Sequence, residues 1–317
     1  SVLVGDSSGT FAVLHPSLPS HGISQGSWDQ MIFATGPSED QMRDAIELNG
    51  IIYIAAGEKV ERFDMNNNRW LNPLTGNSAP YSSAIQCIAT DGTNIFIGSE
   101  SSGVIMITIN GTTVISENAA QWVTADGLSS SEVGDLAYES ATGQIISMHP
   151  FAGISVIDPT NSTVPQTWTE FNGLNSNDIT ALAVRGGIAY AGTNNDGVER
   201  IDIVNSTLLT PWTSTGMDDV DAMPIAIDGS TLYLGMYGFG VLVYDMSTGE
   251  QTGLWQRTGG NGPGQSNQIP SNNVLSLAIL TPGTVLVGTN NGGAQHTSSG
   301  WSNMGNTGNE RADQFYD

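Results

Sequence analysis

The chain has 317 residues, of which 31 are acidic and 8 basic, giving a formal net charge of −23 although only 12% of residues are charged. A surface of that sign repels nucleic acid and anionic membranes and attracts cations and basic partners. No apolar run reaches the roughly eighteen residues of a membrane-spanning helix, and the single cysteine excludes an intrachain disulfide.

Lys59 is the only lysine, and Asn, Ser, Thr and Gly supply the polar surface. A secreted protein kept soluble by its acid fits that balance. The chain opens on Ser1 with neither an initiator Met nor a signal peptide. That opening predicts a product processed or excised from something longer. Cys87 stands in the apolar run Ile85-Gln86-Cys87-Ile88, the setting of a buried, inert thiol.

The tryptophans expose the organisation. Trp28, Trp70, Trp122, Trp168, Trp212, Trp255 and Trp301 are separated by 42, 52, 46, 44, 43 and 46 residues. A rare residue recurring at a period between about twenty and fifty marks a repeat architecture. Aligned on Trp, the repeats share a grammar: a strand, a Gly-containing turn, a second strand ending in Gly, a short loop, a third strand, a polar turn and the Trp segment. A Trp at one recurring position is expected to pack between repeats.

In chain order, residues 1–9 (SVLVGDSSG) match residues 284–292 (TVLVGTNNG), a second strand, and 11–14 follow as a third. A Pro/Ser/Gly-rich loop then leads to Trp28. The second repeat predicts strands at 42–48, 51–56 and 60–63, with Asn49-Gly50 as its hairpin turn. The third predicts 84–90, 94–98 and 104–109, and the fourth 133–138, 144–148 and 154–157. The fifth predicts 179–184, 188–192 and 198–203, and the sixth 221–227, 231–235 and 241–244. The seventh predicts 274–279, 284–288 and a weak strand at 294–297. No segment longer than a turn carries helical periodicity.

Four strands in about 45 residues make one blade of a β-propeller. The expected fold is all-β, a single seven-bladed β-propeller domain over 1–317 with four-stranded blades. The first blade is expected from about 1–41 plus 306–317, and the other six from 42–305. The first repeat lacks its first strand, and Ala312 follows Trp301 at the spacing that separates Val133 from Trp122. Residues 311–317 are therefore expected to supply that strand and close the ring, leaving no free edge.

Gly127-Leu128-Ser129-Ser130 through Leu136-Ala137 and Gly173-Leu174-Asn175-Ser176 through Leu182-Ala183 resemble the two-component-regulator type of β-propeller repeat. The pattern is recognisable again at Ile269-Pro270-Ser271-Asn272. The resemblance implies a propeller of the kind found in extracellular sensors and in unrelated secreted proteins.

Propellers place sites at the mouth of the central channel, where the innermost strands begin. Aligning those strands puts Glu132, Asp178, Asp221 and Asn273 at one level, with Ala84, Met42 and, after closure, Arg311 beside them. Asp44 and Asp313 come two positions later. Converging carboxylates can bind a hard divalent cation such as calcium, can receive a basic group, or can be solvated acids of an acid-rich protein. Asp218-Asp219-Val220-Asp221 lacks the spacing of an EF-hand loop.

His15, His21, His149 and His296 show no zinc-ligand spacing and read as surface or packing residues. The Gly-rich stretches at 235–240 and 259–264 are turns between strands, not phosphate loops. Tyr237 and Phe239 in the first of them can form an exposed aromatic patch for a glycan or a partner. Asn110, Asn161 and Asn205 head Asn-x-Ser/Thr sequons, each in the turn before a Trp segment, where glycosylation is expected.

The expected function is a secreted or cell-surface, non-catalytic binding or scaffold module, binding protein or glycan and assembling with other surface subunits. The rival class is an extracellular lyase or hydrolase acting at the acidic channel mouth.

Overall fold

The computed structural model describes residues 2–5, 11–14, 30–31, 42–75, 83–194, 197–213, 222–257 and 269–304. Every repeat from the second to the seventh forms one four-stranded antiparallel meander, numbered here as blades 2 to 7. Blade 2 comprises Met42–Leu48, Ile51–Ala56, Lys59–Asp64 and Arg69–Leu74. Blade 3 comprises Ile85–Thr90, Asn94–Ser99, Val104–Asn110 and Thr113–Trp122, and blade 4 Asp135–Glu139, Gln144–His149, Gly153–Asp158 and Thr163–Trp168. Blade 5 comprises Ile179–Arg185, Ile188–Thr193, Val198–Asp202 and Thr207–Trp212. Blade 6 holds Ala222–Asp228, Thr231–Met236, Gly240–Asp245 and Gln251–Trp255, and blade 7 Val274–Thr281, Thr284–Thr289, Gly292–Thr297 and Gly300–Met304. The only helical elements among the described residues are two single 3-10 turns, Thr124–Asp126 and Glu170–Asn172.

The expected blade number is corrected. Among the described residues there are six four-stranded blades, not seven, and the N-terminal sheet shows three strands, Val2–Gly5, Phe11–Leu14 and Gln30–Met31. Val2–Gly5 and Phe11–Leu14 take the places of the second and third strands of the repeat, and no strand among the described residues takes the place of the first in that sheet. Residues 311–317, expected to fill that place, lie outside the described residues.

Contacts divide the chain into two compact units, one formed by 37–213 and the other by 1–36 with 214–317. The first unit holds blades 2 to 5, with the first strand of each blade lying beside that of the next. In the second unit the first strands of blades 6 and 7 are neighbours, and Val2–Gly5 lies beside the first strand of blade 7.

The cores sit between blades. Second strands are buried on both faces, as in Ile51–Ala56, where all six residues are buried. That burial explains why these segments read as continuous apolar runs rather than alternating ones. Blades 2 and 3 share a cluster that includes Tyr53, Val60, Leu74, Ile85, Ile97 and Ile107. Trp122, Leu128 and Val133 join Phe96 and Val104 between blades 3 and 4. Cys87 is 3% exposed there, and burial, together with the Asp135 and Asp44 charges, pushes its thiol well above the ordinary range.

The tryptophans do not all share one position, which corrects the simplest reading of their spacing. Trp122, Trp168, Trp212 and Trp255 end their fourth strands, paired with Val104, Ile154, Val198 and Val241 at the head of the third. In blade 2 Leu74 holds that place opposite Val60, while Trp70 pairs with Phe63 at the far end of the hairpin. Trp301 likewise pairs with His296. His296 packs its ring 4.6 Å from Trp255 and 4.8 Å from Trp301, and burial lowers its pKa.

The four equivalent tryptophans come with a glycine. Gly103, Gly153, Gly197 and Gly240 precede or open the third strand with φ of 73°, 86°, 86° and 103°. A Cβ on any of them would overlap the carbonyl oxygen of the Trp opposite. Only glycine permits both the left-handed backbone and that approach.

Candidate functional site: the loop end of blades 3 to 5

In a four-stranded meander the turns joining strands one to two and three to four share one end of the blade. The loop between strands two and three, and the connection to the next blade, share the other. Glu132, Asp178 and Asn273 lie at this second end, so its construction decides what they can do.

The repeated Gly-Leu motif builds the blade-to-blade connection. Gly127 and Gly173 end the 3-10 turns with φ of 112° and 121°, and Leu128 and Leu174, each 4% exposed, enter the cores. The N–H of Ser129 donates to Ser155 Oγ at 3.1 Å, and that of Asn175 donates to Glu199 Oε1 at 2.7 Å. Ser130, Ser176 and Ser271 then accept, through Oγ, the N–H groups of Glu132, Asp178 and Asn273 at 3.0, 3.1 and 3.2 Å. Ile269, 1% exposed, is buried ahead of Ser271 as Leu174 is ahead of Ser176.

Asp178 and Asn273 directly precede their first strands, and Glu132 stands three residues ahead of Asp135–Glu139. Asp178 accepts Asn194 Nδ2 at 3.1 Å through its carboxylate and the Asn194 N–H at 3.0 Å through its carbonyl. Asn273 accepts the Asn290 N–H at 3.3 Å in the other unit. Asp44 lies inside its strand at a bulge, accepting from Ala45 N and, across the blade boundary, from Ile88 N, both at 2.7 Å. Glu132 is exposed. Asp221 and Asp313 lie outside the described residues. Among the described residues no three His, Cys, Asp or Glu side chains gather as a metal-ligating group.

Blade 4 departs from its neighbours in an instructive way. In blades 3, 5 and 7 the residue after the second strand, Glu100, Asn194 or Asn290, donates its N–H to the carbonyl of Ala84, Asp178 or Asn273. Blade 4 has Pro150 there, which carries no N–H. His149 Nδ1 fills the gap, donating to the Glu132 carbonyl at 2.8 Å, while Nε2 meets Ser147 Oγ at 3.0 Å. A carbonyl only accepts, so the ring carries its proton on Nδ1 and Nε2 accepts from the serine. The side chain is fully buried, and burial lowers its pKa to about 4. Both ring nitrogens of His149 are thus engaged within blade 4.

The same loops present what sequence reading missed. Phe151 is 75% exposed and Phe171 99%. Phe151 sits in the strand-two to strand-three loop of blade 4 with φ of 57°, and Phe171 in the 3-10 turn leading to blade 5. Their loops are tied through Asn177, whose carbonyl accepts Gly153 N at 3.3 Å. Asn177 also exchanges side-chain and backbone bonds with Glu170, both at 2.8 Å. The available signal was positional: blade 6 places Gly238, φ 84°, in the middle of an equally long loop. The predicted Tyr237 and Phe239 patch is present in half, with Tyr237 49% exposed and Phe239 half-buried.

Asn110, Asn161 and Asn205 are all exposed at the opposite end. Asn161 and Asn205 close hairpin turns, each donating N–H and Nδ2 to the carboxylate three residues earlier, Asp158 or Asp202. Asn67 does the same with Asp64 in blade 2, outside any sequon.

Comparison with solved structures shows a β-propeller fold. The chain superposes with TM-score 0.65 and 14% identity on the extracellular domain of a protein described as the hybrid two component system BT4673 from B. thetaiotaomicron, covering 96% of this chain and 39% of that one. A second structure, described as the extracellular domain of a one component system BT4673 from B. thetaiotaomicron, gives 0.62 at 14% identity over 86% of this chain and 36% of that one. The chain thus spans under two fifths of the length of either. No protein-family model matches the sequence, and no curated protein matches it either. No helix among the described residues is long and apolar enough to cross a membrane.

Proposed function

We propose that the chain is a secreted or cell-surface β-propeller that binds a partner without catalysis, serving as a domain or subunit of a larger surface assembly. The observation that carries this reading is the loop end of blade 4, where two phenylalanines stand exposed on loops fixed by hydrogen bonds through Asn177. Fixed loops that present apolar rings to solvent are what a recognition surface needs, because little ordering remains to be done on binding. The likeness to extracellular domains supports the location.

Three finer expectations belong to the same reading. Residues 311–317 join the three-stranded N-terminal sheet as its fourth strand, so that deleting 306–317 lowers the thermal midpoint. Asn110, Asn161 and Asn205 carry glycans on the end away from the aromatic loops. Glu132, Asp178, Asp221, Asn273, Asp44 and Asp313 either take a divalent cation such as calcium or meet basic groups of the partner.

Native mass measurement of the protein from its source tests the reading. A stoichiometric non-covalent partner retained with the chain supports it, and deglycosylation or chelation assigns any further mass. Recovery of a bare 33.3 kDa chain that turns over a polysaccharide would sink it.

A further inference from the structure

Phe151 and Phe171 are not required by the fold that holds them. The turn of Glu170–Asn172 is matched in blade 3 by Thr124–Asp126, where Ala125 occupies the place of Phe171. The same 3-10 geometry forms without the ring. Phe151 is held in the left-handed region, a conformation that costs a residue with a Cβ about 1 kcal/mol. With three quarters of the side chain in solvent, packing returns little of that cost. Strain at an exposed aromatic, on a loop where another blade uses glycine, points to a function for the ring.

The surroundings define the chemistry of what would cover it. The loop-end segments 99–103, 123–134, 149–153 and 169–178 hold Glu100, Asp126, Glu132, Glu170 and Asp178 and no lysine or arginine. Their one histidine, His149, is the buried neutral ring already described. Glu100, Glu132 and Glu170 are exposed. An anionic membrane is repelled by such a surface, and so is a second copy of a chain with net charge −23. Aromatic faces attract guanidinium and ammonium groups as well as apolar side chains. Exposed rings on a loop end whose segments carry carboxylates and no Lys or Arg favour a ligand that is cationic and apolar at once.

We propose that the Phe151–Phe171 surface of blade 4 docks a basic, apolar polypeptide segment of a partner protein, whose Arg or Lys groups lie against the rings and the carboxylates around them. This rests on the binding-module reading above and deepens it by naming the partner class.

The test is a fluorescence anisotropy titration of the intact chain with a short labelled peptide of alternating Arg and Leu. A Glu/Leu peptide of equal length and a neutral oligosaccharide are run beside it. The Arg/Leu peptide is expected to bind alone, more weakly as salt rises. Phe171→Ala and Phe151→Gly are each expected to weaken it about tenfold. Phe151→Gly should also raise the thermal midpoint, since glycine relieves the backbone strain, so that a loss of binding in this variant cannot come from unfolding. Unchanged affinity in both variants, equal binding of the Glu/Leu peptide, or preference for the oligosaccharide would overturn the proposal. A native partner that holds both variants as tightly as the parent also overturns it, while leaving the binding-module reading in place.

Discussion

At the scale of single residues, His149 shows how a donor missing from the next residue, Pro150, decides a side chain's role. Its folded pKa is about 4 against an ordinary 6.5, because burial disfavours the charged ring. Between those values the unfolded chain takes up a proton that the folded chain refuses. Stability from this group is therefore complete above about pH 6.5 and is lost as pH falls towards 4, a swing on the order of 3 kcal/mol. Asp64, Asp158 and Asp202 act at lower pH. Hydrogen bonds from the side chains of Asn67, Asn161 and Asn205 hold their carboxylates below the usual range. Their contribution is present above the unfolded carboxylate pKa and disappears as pH falls through the folded one. Urea midpoints measured at pH 7 and at pH 4.5 should differ strongly in the parent and much less in His149→Asn, whose amide can donate to the Glu132 carbonyl without titrating. An equal pH response in the two proteins would show that this ring is not the group that titrates.

At the scale of elements, the glycine ahead of each third strand and the tryptophan ending the fourth are one device. Gly153→Ala puts a methyl group against the Trp168 carbonyl at a positive φ and should cost more than about 3 kcal/mol. Gly186→Ala, at φ 62° in a hairpin turn with open space around it, should cost about 1 kcal/mol. Comparing the two unfolding midpoints separates the backbone clash from the conformational cost that both share. Similar midpoints would mean that the strands part without penalty. The strands themselves were legible from sequence, because Gly turns and apolar runs are local signals: predicted 51–56 and 188–192 were found as Ile51–Ala56 and Ile188–Thr193. Trp70 and Trp301 misled for the opposite reason. Spacing along the chain does not reveal which end of a hairpin a residue occupies, and Leu74 fills the place that Trp fills in blades 3 to 6. Asp178 and Asn273 were legible as positions directly ahead of their strands. That their polar groups close loops became visible only once each donor was paired with its acceptor. Phe151 was hidden because a left-handed φ leaves no trace in a one-letter code.

At the scale of the whole molecule, the charge imbalance acts on stability and on binding with opposite sign. Thirty-one carboxylates against eight cations repel one another in the folded chain, so screening them favours the compact state. The Debye length falls from about 30 Å at 0.01 M to about 8 Å at 0.15 M ionic strength. Across that range the thermal midpoint of the intact chain should rise while its affinity for the Arg/Leu peptide falls. Packing alone would leave both unchanged, and a general loosening of the fold by salt would lower both. Opposite movement isolates the electrostatic field as the common cause. It also separates the two roles of the carboxylates: those held by short local bonds, in the Asp-x-x-Asn turns and at Glu170, respond weakly to salt, and the exposed Glu100 and Glu132 carry the dependence. Glu132→Gln should then reduce the salt slope of peptide binding without changing the salt slope of the midpoint, because one charge in a field of this size matters to a ligand at the same loop end and little to the fold as a whole.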